Sequence, residues 1–239
     1  MDDVEKTKWI KINLLTKRLP NKPLRKVSKT EKKMDEKTEK IIKKYNRFSY
    51  IYDVFEKPME SAMFNRWRSG LISPLKGKIL EIGVGTGKNL SYYNKEAKVI
   101  GIDLSPGMLS KAEERLKQNK NKNIKLIEMD AQNLKFKDNS FDYVICTFVL
   151  CSVPDPVKAL KEMKRVCKKN GKIIMIEHML SKHKLIAFFE HLHNPITRFL
   201  FGFNVNRKTD ENVKKAGLKI KKIQNMAFFD VFRKIEAKK

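Results

Sequence analysis

The sequence predicts an α/β fold: a mostly parallel seven-stranded sheet with helices on both faces and one antiparallel edge strand. Three observations carry that prediction. From Gly77 onward short β-like runs alternate with helical stretches. The connections leave room for right-handed βαβ crossovers. The last two β runs are joined by a tight turn, which makes an antiparallel pair.

The elements follow in chain order. Residues 1–40 are polar and lysine-rich, with prolines at 20 and 23 and little periodicity beyond "WIKINLL". They are expected to be a largely disordered basic extension holding at most a short helix. The folded domain is expected over 41–239. Apolar residues at helical spacing (Ile41, Ile42, Tyr45, Phe48, then Met59, Met63, Trp67) predict two helices before the first strand. The β runs are "KILEIG" (78–83), "KVIGID" (98–103), "IKLIEMD" (124–130), "FDYVICTFVL" (141–150) and "GKIIMIEH" (171–178). Helical stretches lie between them at 87–94, 106–119 and 155–169, with a weaker one at 131–135. Asn170-Gly171-Lys172 reads as a helix stop, glycine taking the left-handed capping conformation. A cap insertion over about 178–207 leads to a helix at 208–216 and strands at 218–226 and 228–235.

The net charge of +26 is uneven: +8 over 1–44, +2 over 45–76, +3 over 77–142 and +13 over 143–239. A balanced middle with basic flanks suits contact with phosphates, of nucleic acid or of anionic lipid, or simply a solvated lysine-rich surface. No apolar run is long enough to span a bilayer. The start, "MDDVEKTKWIK", is too acidic for a secretory signal or a good transit peptide. Three cysteines (Cys146, Cys151, Cys167) form no CxxC pair, which fits a reducing intracellular compartment: cytoplasmic, membrane-peripheral or mitochondrial.

The stretch "ILEIGVGTGKN" (79–89) invites a phosphate-binding reading, and its spacing refuses it. A GxxxxGK[ST] loop would need glycine at 82, where Ile82 stands, and Ser or Thr at 89, where Asn89 stands. Glycines at 83, 85 and 87 also miss the GxGxxG spacing. What remains is a strand ending at Glu81, glycines that let a backbone approach a ligand, and a second strand ending in Asp103. An acid there can accept hydrogen bonds from ribose hydroxyls. Glu81 would repel a diphosphate and could pair with an amino group. A nucleoside carrying an amino acid, S-adenosylmethionine (SAM), satisfies all three features.

From about Tyr45 to its end, the chain resembles the class I SAM-dependent methyltransferases, which share a Rossmann-like fold. The branch is that of the ubiquinone/menaquinone methyltransferases and related lipid and thiol enzymes. "LEIGVGTGKNL", "GIDLSPGML" and "EMDAQNLKFKDNSFDYV" resemble the family's first three motifs, and "YNRFSYIYD" its N-terminal helix. The resemblance implies that Glu81, Gly83, Gly85 and Gly87 surround the methionine moiety and that Asp103, followed by Leu104, holds the ribose. It places Met108, Asp130 and Ala131 around the adenine, and Thr147 near the methionine end. Tyr45 and Tyr52 would close over the cofactor. A methionine at helical spacing such as Met108 is more often core packing, and Tyr45 and Tyr52 suit packing and a lid role equally well.

The acceptor is expected where 146–153 and 177–207 leave the sheet. His178, directly after the fifth strand, is the candidate proton acceptor, with capping of the strand end as the other reading. His191-x-His193 beside Glu190 is a weak metal pattern, and no metal is expected. Cys151 reads as a small buried hydrophobe. Residues 184–203 are rich in Leu, Ile and Phe, and Pro195 should divide them into two amphipathic pieces. They read either as a cap packed on the core and lining an apolar pocket, or as an interfacial element docking on anionic membrane. The expected activity is methyl transfer to a small apolar or lipid-like acceptor: a quinone precursor, phospholipid amine or thiol. The alternatives are an RNA methyltransferase, suggested by charge, and a non-catalytic SAM-binding scaffold.

Overall fold

The computed structural model describes residues 36–119 and 121–239, with side chains throughout except at 48 and 50–56. The expected extension thus lies mostly outside the described residues. Helix α1 (Glu36–Met59) widens through a π-helical turn (Glu60–Phe64) into α2 (Asn65–Ile72). The sheet is built from β1 (Gly77–Ile82), β2 (Ala97–Asp103), β3 (Ile124–Glu128), β4 (Phe141–Thr147), β5 (Cys167–His178), β6 (Lys219–Ala227) and β7 (Phe232–Lys238). Helices α3 (Pro106–Lys117), α4 (Pro156–Val166), α5 (Lys184–Leu200) and α6 (Thr209–Lys215) complete the chain.

The strand order is β3-β2-β1-β4-β5-β7-β6. β1 to β5 pair in parallel, and β7 is the single strand running the other way, between β5 and the outermost β6. The hairpin therefore presents its second strand to the sheet, which puts the antiparallel strand one place in from the edge.

Apolar side chains fall on both faces of the sheet, as parallel strands covered on two sides require. One face packs Leu80, Ile82, Val144 and Met175 against Leu160 and Met163 of α4 and Val213 of α6. The other packs Ile79, Val99, Ile145 and Ile174 against Leu71 and Ile72 of α2 and Leu109 and Ala112 of α3. Helices α3 and α4 start alike: Ser105 and Asp155 accept from the N–H groups of Met108 and Lys158, each with a proline at the first helical position.

Several expected boundaries moved. Residues 87–94 hold only a 3-10 turn (Leu90–Tyr92), because Asn89 and Tyr93 turn inward to Glu81. Residues 131–135 are a turn, fixed by Asp130 Oδ1 accepting from Gln132 N at 2.8 Å. β4 stops at Thr147, since Phe148 takes φ +60° and Glu177 captures the next two N–H groups. Gly171 is not a helix cap. Its strand has begun at Cys167, and a side chain there would meet Asp142 O at 2.8 Å and Cys167 Sγ at 2.7 Å. Pro195 lies inside a continuous α5 on an exposed side, where water can satisfy the carbonyl it leaves free.

Candidate functional site

In this strand order, crossovers leave β1 toward β2 on one side and reach β4 on the other, and the crevice opens at the carboxyl ends between them. A cavity of about 930 Å³, counted to its open mouth, stands there, within the size range of small-molecule sites. Its walls come from the glycine loop, the ends of β2 and β3, the turn after β4, and helices α1 and α2.

The glycine loop makes the floor. Gly83 and Gly85 line the cavity at φ +64° and +56°, a region other residues enter only with strain. A Cβ on Gly83 would stand 2.5 Å from Val149, so glycine lets the turn after β4 close over the loop. A Cβ on Gly85 would project into open space. Gly87 is not on the wall. Packing requires glycine there: a Cβ would stand 2.7 Å from Leu90 and 3.0 Å from the Ala112 backbone, so its absence seats the loop on α3.

Asp103 lies on the wall where expected, with Leu104 and the buried Met108 beside it. Its carboxylate accepts from Gly85 N and Ser105 N, each at 2.9 Å. Burial raises its pKa, and these backbone donors work against the rise. Asp130 and Ala131 line the far end. Gln132, whose Nε2 donates to Asp130, accepts from Asp155 N and ties this end to α4.

Helix α1 crosses the mouth with Thr38, Ile41 and Tyr45. The Tyr45 hydroxyl is 2.6 Å from Ser152 Oγ on the turn after β4. Asn46 Oδ1 accepts from Ser105 Oγ and Gly107 N, pinning α1 to the start of α3. Tyr52 lies in α1, and its side chain is outside the described residues.

Behind the Thr147 end of the cavity sits a buried polar cluster that sequence reasoning did not find. Arg68 lines the cavity and donates through Nη1 to Thr147 Oγ1 (2.8 Å) and Asn89 Oδ1 (3.1 Å), and through Nε to Glu60 (2.9 Å). Lys88 also lines the cavity and pairs with Glu60 at 3.2 Å. An arginine in α2 carries no motif, so only the fold brings it here. Thr147 is on the wall as expected.

Glu81 departs from expectation. It lies behind the wall, fully buried, with its oxygens accepting from Tyr93 OH (2.6 Å) and Asn89 Nδ2 (2.8 Å). Burial pushes its carboxyl up to about 7 despite those donors and nearby Arg68. Its carboxylate is taken up by the side chains of the loop and the following turn and is not on the cavity wall.

His178 is a second correction. It is absent from the cavity wall, and the pleat sends it to the face of β5 opposite Glu177. Its ring meets the Phe232 ring edge-on at 5.2 Å, with Glu190 Oε1 3.8 Å away. Burial lowers its pKa to about 4. Glu177 is wholly buried, accepts from Val149 N and Leu150 N, and is pushed up by burial to about 7. Burial also drives the Cys151 thiol up to about 12, which leaves it protonated and inert. Among the described residues no cluster of His, Cys, Asp and Glu has metal-binding geometry. His191 instead meets Asn206, and His193 the carbonyl of Phe189.

The site's features fit SAM. Open space stands beside Gly85, an acidic wall residue ends β2, and a cationic side chain stands at the opposite end.

Residues 80–175 match the family described as a methyltransferase domain. A phosphatidylethanolamine N-methyltransferase of Cereibacter sphaeroides is 35% identical over 160 residues, covering 63% of this chain and 77% of the relative. A demethylmenaquinone methyltransferase of a Geobacillus strain is 35% identical over 158 residues, covering 63% and 64%. Among solved structures, an N-methyltransferase of Haemonchus contortus bound to S-adenosylhomocysteine and phosphomonomethylethanolamine aligns with TM-score 0.60 at 19% identity. That alignment covers 81% of this chain and 58% of the other.

Proposed function

Because the chain belongs to the SAM-dependent methyltransferases, we propose that it methylates a small apolar or lipid-like acceptor. The acceptor chemistries in view are a phospholipid amine, a quinone precursor and a thiol. What supports the acceptor class is the pair of relatives, one named for a phospholipid amine and one for a quinone precursor. The cap does not line the cavity as one reading expected: none of residues 178–207 is on its wall, and α5 turns its apolar stripe outward. The observation that carries the activity is the cavity at the β1–β4 switch point, with Asp103 and Gly85 on its wall.

Bound there, SAM supplies an electrophilic methyl group on a sulfonium centre. Asp103 would accept from the ribose hydroxyls, with Leu104 beside it. Met108, Asp130 and Ala131 would bound the adenine end. Gly83, Gly85 and Thr147 would line the methionine end, where Arg68 offers a partner for its carboxylate. Glu81 acts from behind, holding Asn89 and Tyr93. Tyr45, tied to Ser152, and the rest of α1 restrict water at the mouth, and alignment of the two reactants does the remaining work. His178 serves as a positioning residue between β5, Phe232 and α5, not as a proton acceptor at the methyl path.

The test is methyl transfer from labelled SAM to lipid extract, quinone precursors, thiols and RNA presented in parallel. Label entering the lipid or quinone fraction supports the reading. Label entering RNA alone overturns it.

A further inference from the structure

Helix α5 is an amphipathic helix turned inside out. The side chains it presents to the protein are Ile186, Ala187, Glu190, Asn194 and Thr197, which are mostly polar. Glu190 Oε2 accepts from Ser181 N at 2.7 Å, and Asn194 Oδ1 from Val205 N at 3.0 Å. Leu185, Phe188, Phe189, Leu192, Ile196, Phe199 and Leu200 form the opposite stripe at helical spacing, and each is exposed by 49% or more.

A second element continues this surface. The β6–β7 turn places Phe228 and Phe229 consecutively at φ +48° and +60° and exposes them by 56% and 73%. Two bulky residues in the left-handed region are strained, and tight turns there favour Gly or Asn. Phe229 adjoins His183, the residue before α5, with ring centroids 5.2 Å apart. At about 200 Å² per large apolar side chain, the two elements expose on the order of 1,000 Å². A soluble monomer rarely leaves that much apolar surface uncovered in one patch.

We infer that the outward face of α5 and the Phe228–Phe229 tip together dock the protein on an anionic lipid bilayer. Charge selects this occupant. Residues 178–208 carry five basic side chains and one acid, Glu190, which faces inward. Lys182, Lys184, Arg198 and Lys208 are exposed beside the apolar stripe. A second copy is disfavoured, since each chain carries +26 and like-charged chains repel. Among the described residues no helix is long and apolar enough to cross a membrane, so α5 lies in the interface with its apolar stripe down. Lys44 holds its far end, donating to the carbonyls of Arg198 and Phe199. The inference rests on the proposed apolar acceptor: a bilayer under α5 would deliver one beside the cavity.

Flotation of the full chain with phosphatidylcholine vesicles, with and without phosphatidylglycerol, tests this. Binding should require the anionic lipid. It should fall on the order of ten-fold or more in the Leu192→Asp/Phe199→Asp variant, while SAM affinity stays unchanged. Phe229→Gly should also bind less while melting at a higher temperature, because glycine relieves the strained turn. Equal binding by wild type and variants, no binding to anionic vesicles, or wild-type dimers that the double variant abolishes would each overturn the inference. Methylation of a detergent-solubilised acceptor separates the two readings: vesicle binding without any such turnover contradicts the acceptor assignment and leaves the docking surface standing.

Discussion

Helices α4 and α5 are both strongly amphipathic, yet they put opposite faces against the protein. Helix α4 buries Ala159, Leu160, Met163 and Val166 against the sheet. Helix α5 buries Glu190 and turns its Leu, Ile and Phe side chains outward. Helical period says that a stripe exists; it does not say which medium the stripe meets. That is decided by whether the neighbouring surface already has its apolar partners. Under α4 the sheet is bare without it. Under α5 the local needs are polar, the N–H groups of Ser181 and Val205, while the aromatic cluster around Phe64 and Phe232 needs only Ile186.

The largest effect should come from treating the two stripes identically. Met163→Ala in α4 should cost about 2 to 5 kcal/mol of unfolding free energy through the cavity it leaves. Leu192→Ala in α5 should change stability by less than about 0.5 kcal/mol in the absence of lipid. Denaturant unfolding of both variants checks this, and comparable losses would break the contrast.

A second comparison concerns buried charge. Burial holds the carboxyls of Glu81 and Glu177 up at about 7. From their ordinary value near 4.5 up to about 7, the folded chain keeps protons that the unfolded chain has lost, so each makes stability fall as pH rises through that window. His178, held down to about 4, works in the opposite sense between about 4 and 6.5. Glu177→Gln removes one falling contribution and keeps an oxygen to accept from Val149 N and Leu150 N. Relative to wild type, it should gain up to about 3 kcal/mol between about pH 5 and pH 7.5. Parallel pH profiles from thermal melts would contradict the burial argument.

The smallest effect sharpens the docking surface itself. Phe229→Gly should raise stability by up to about 1 kcal/mol, the roughly 1–2 kcal/mol of left-handed strain relieved less the roughly 0.5–1 kcal/mol of backbone freedom that glycine gives up on folding. A loss of stability would mean that the Phe229 ring, through His183, contributes more packing than its backbone costs in strain.

Much of the site was legible because its geometry is local. A strand, a turn that only glycine makes easily, and an acid about twenty residues on point to one crevice, and Gly83, Gly85 and Asp103 all stand on its wall. Glu81 and His178 were misplaced for one reason: the residue type at a strand end is visible in the sequence, while the side it faces depends on pleat and on neighbours such as Tyr93 and Phe232. Gly87 had the right backbone conformation and a packing role. Arg68 and Asn46 reach the cavity wall or the helix across its mouth through long-range contacts that no local pattern records. The fold class followed from alternation alone, whereas the ends of β4 and β5 depended on the buried Glu177 and on the close approach at Gly171.

Titration calorimetry with SAM on the wild type and on Asp103→Ala tests the central claim most directly. The wild type should bind, and Asp103→Ala, which removes the acceptor at the end of β2, should bind on the order of ten-fold or more weakly, with a melting temperature lowered by a few degrees because the N–H groups of Gly85 and Ser105 lose their acceptor. An Asp103→Ala protein that binds SAM as tightly as the wild type would contradict the assignment of the cavity.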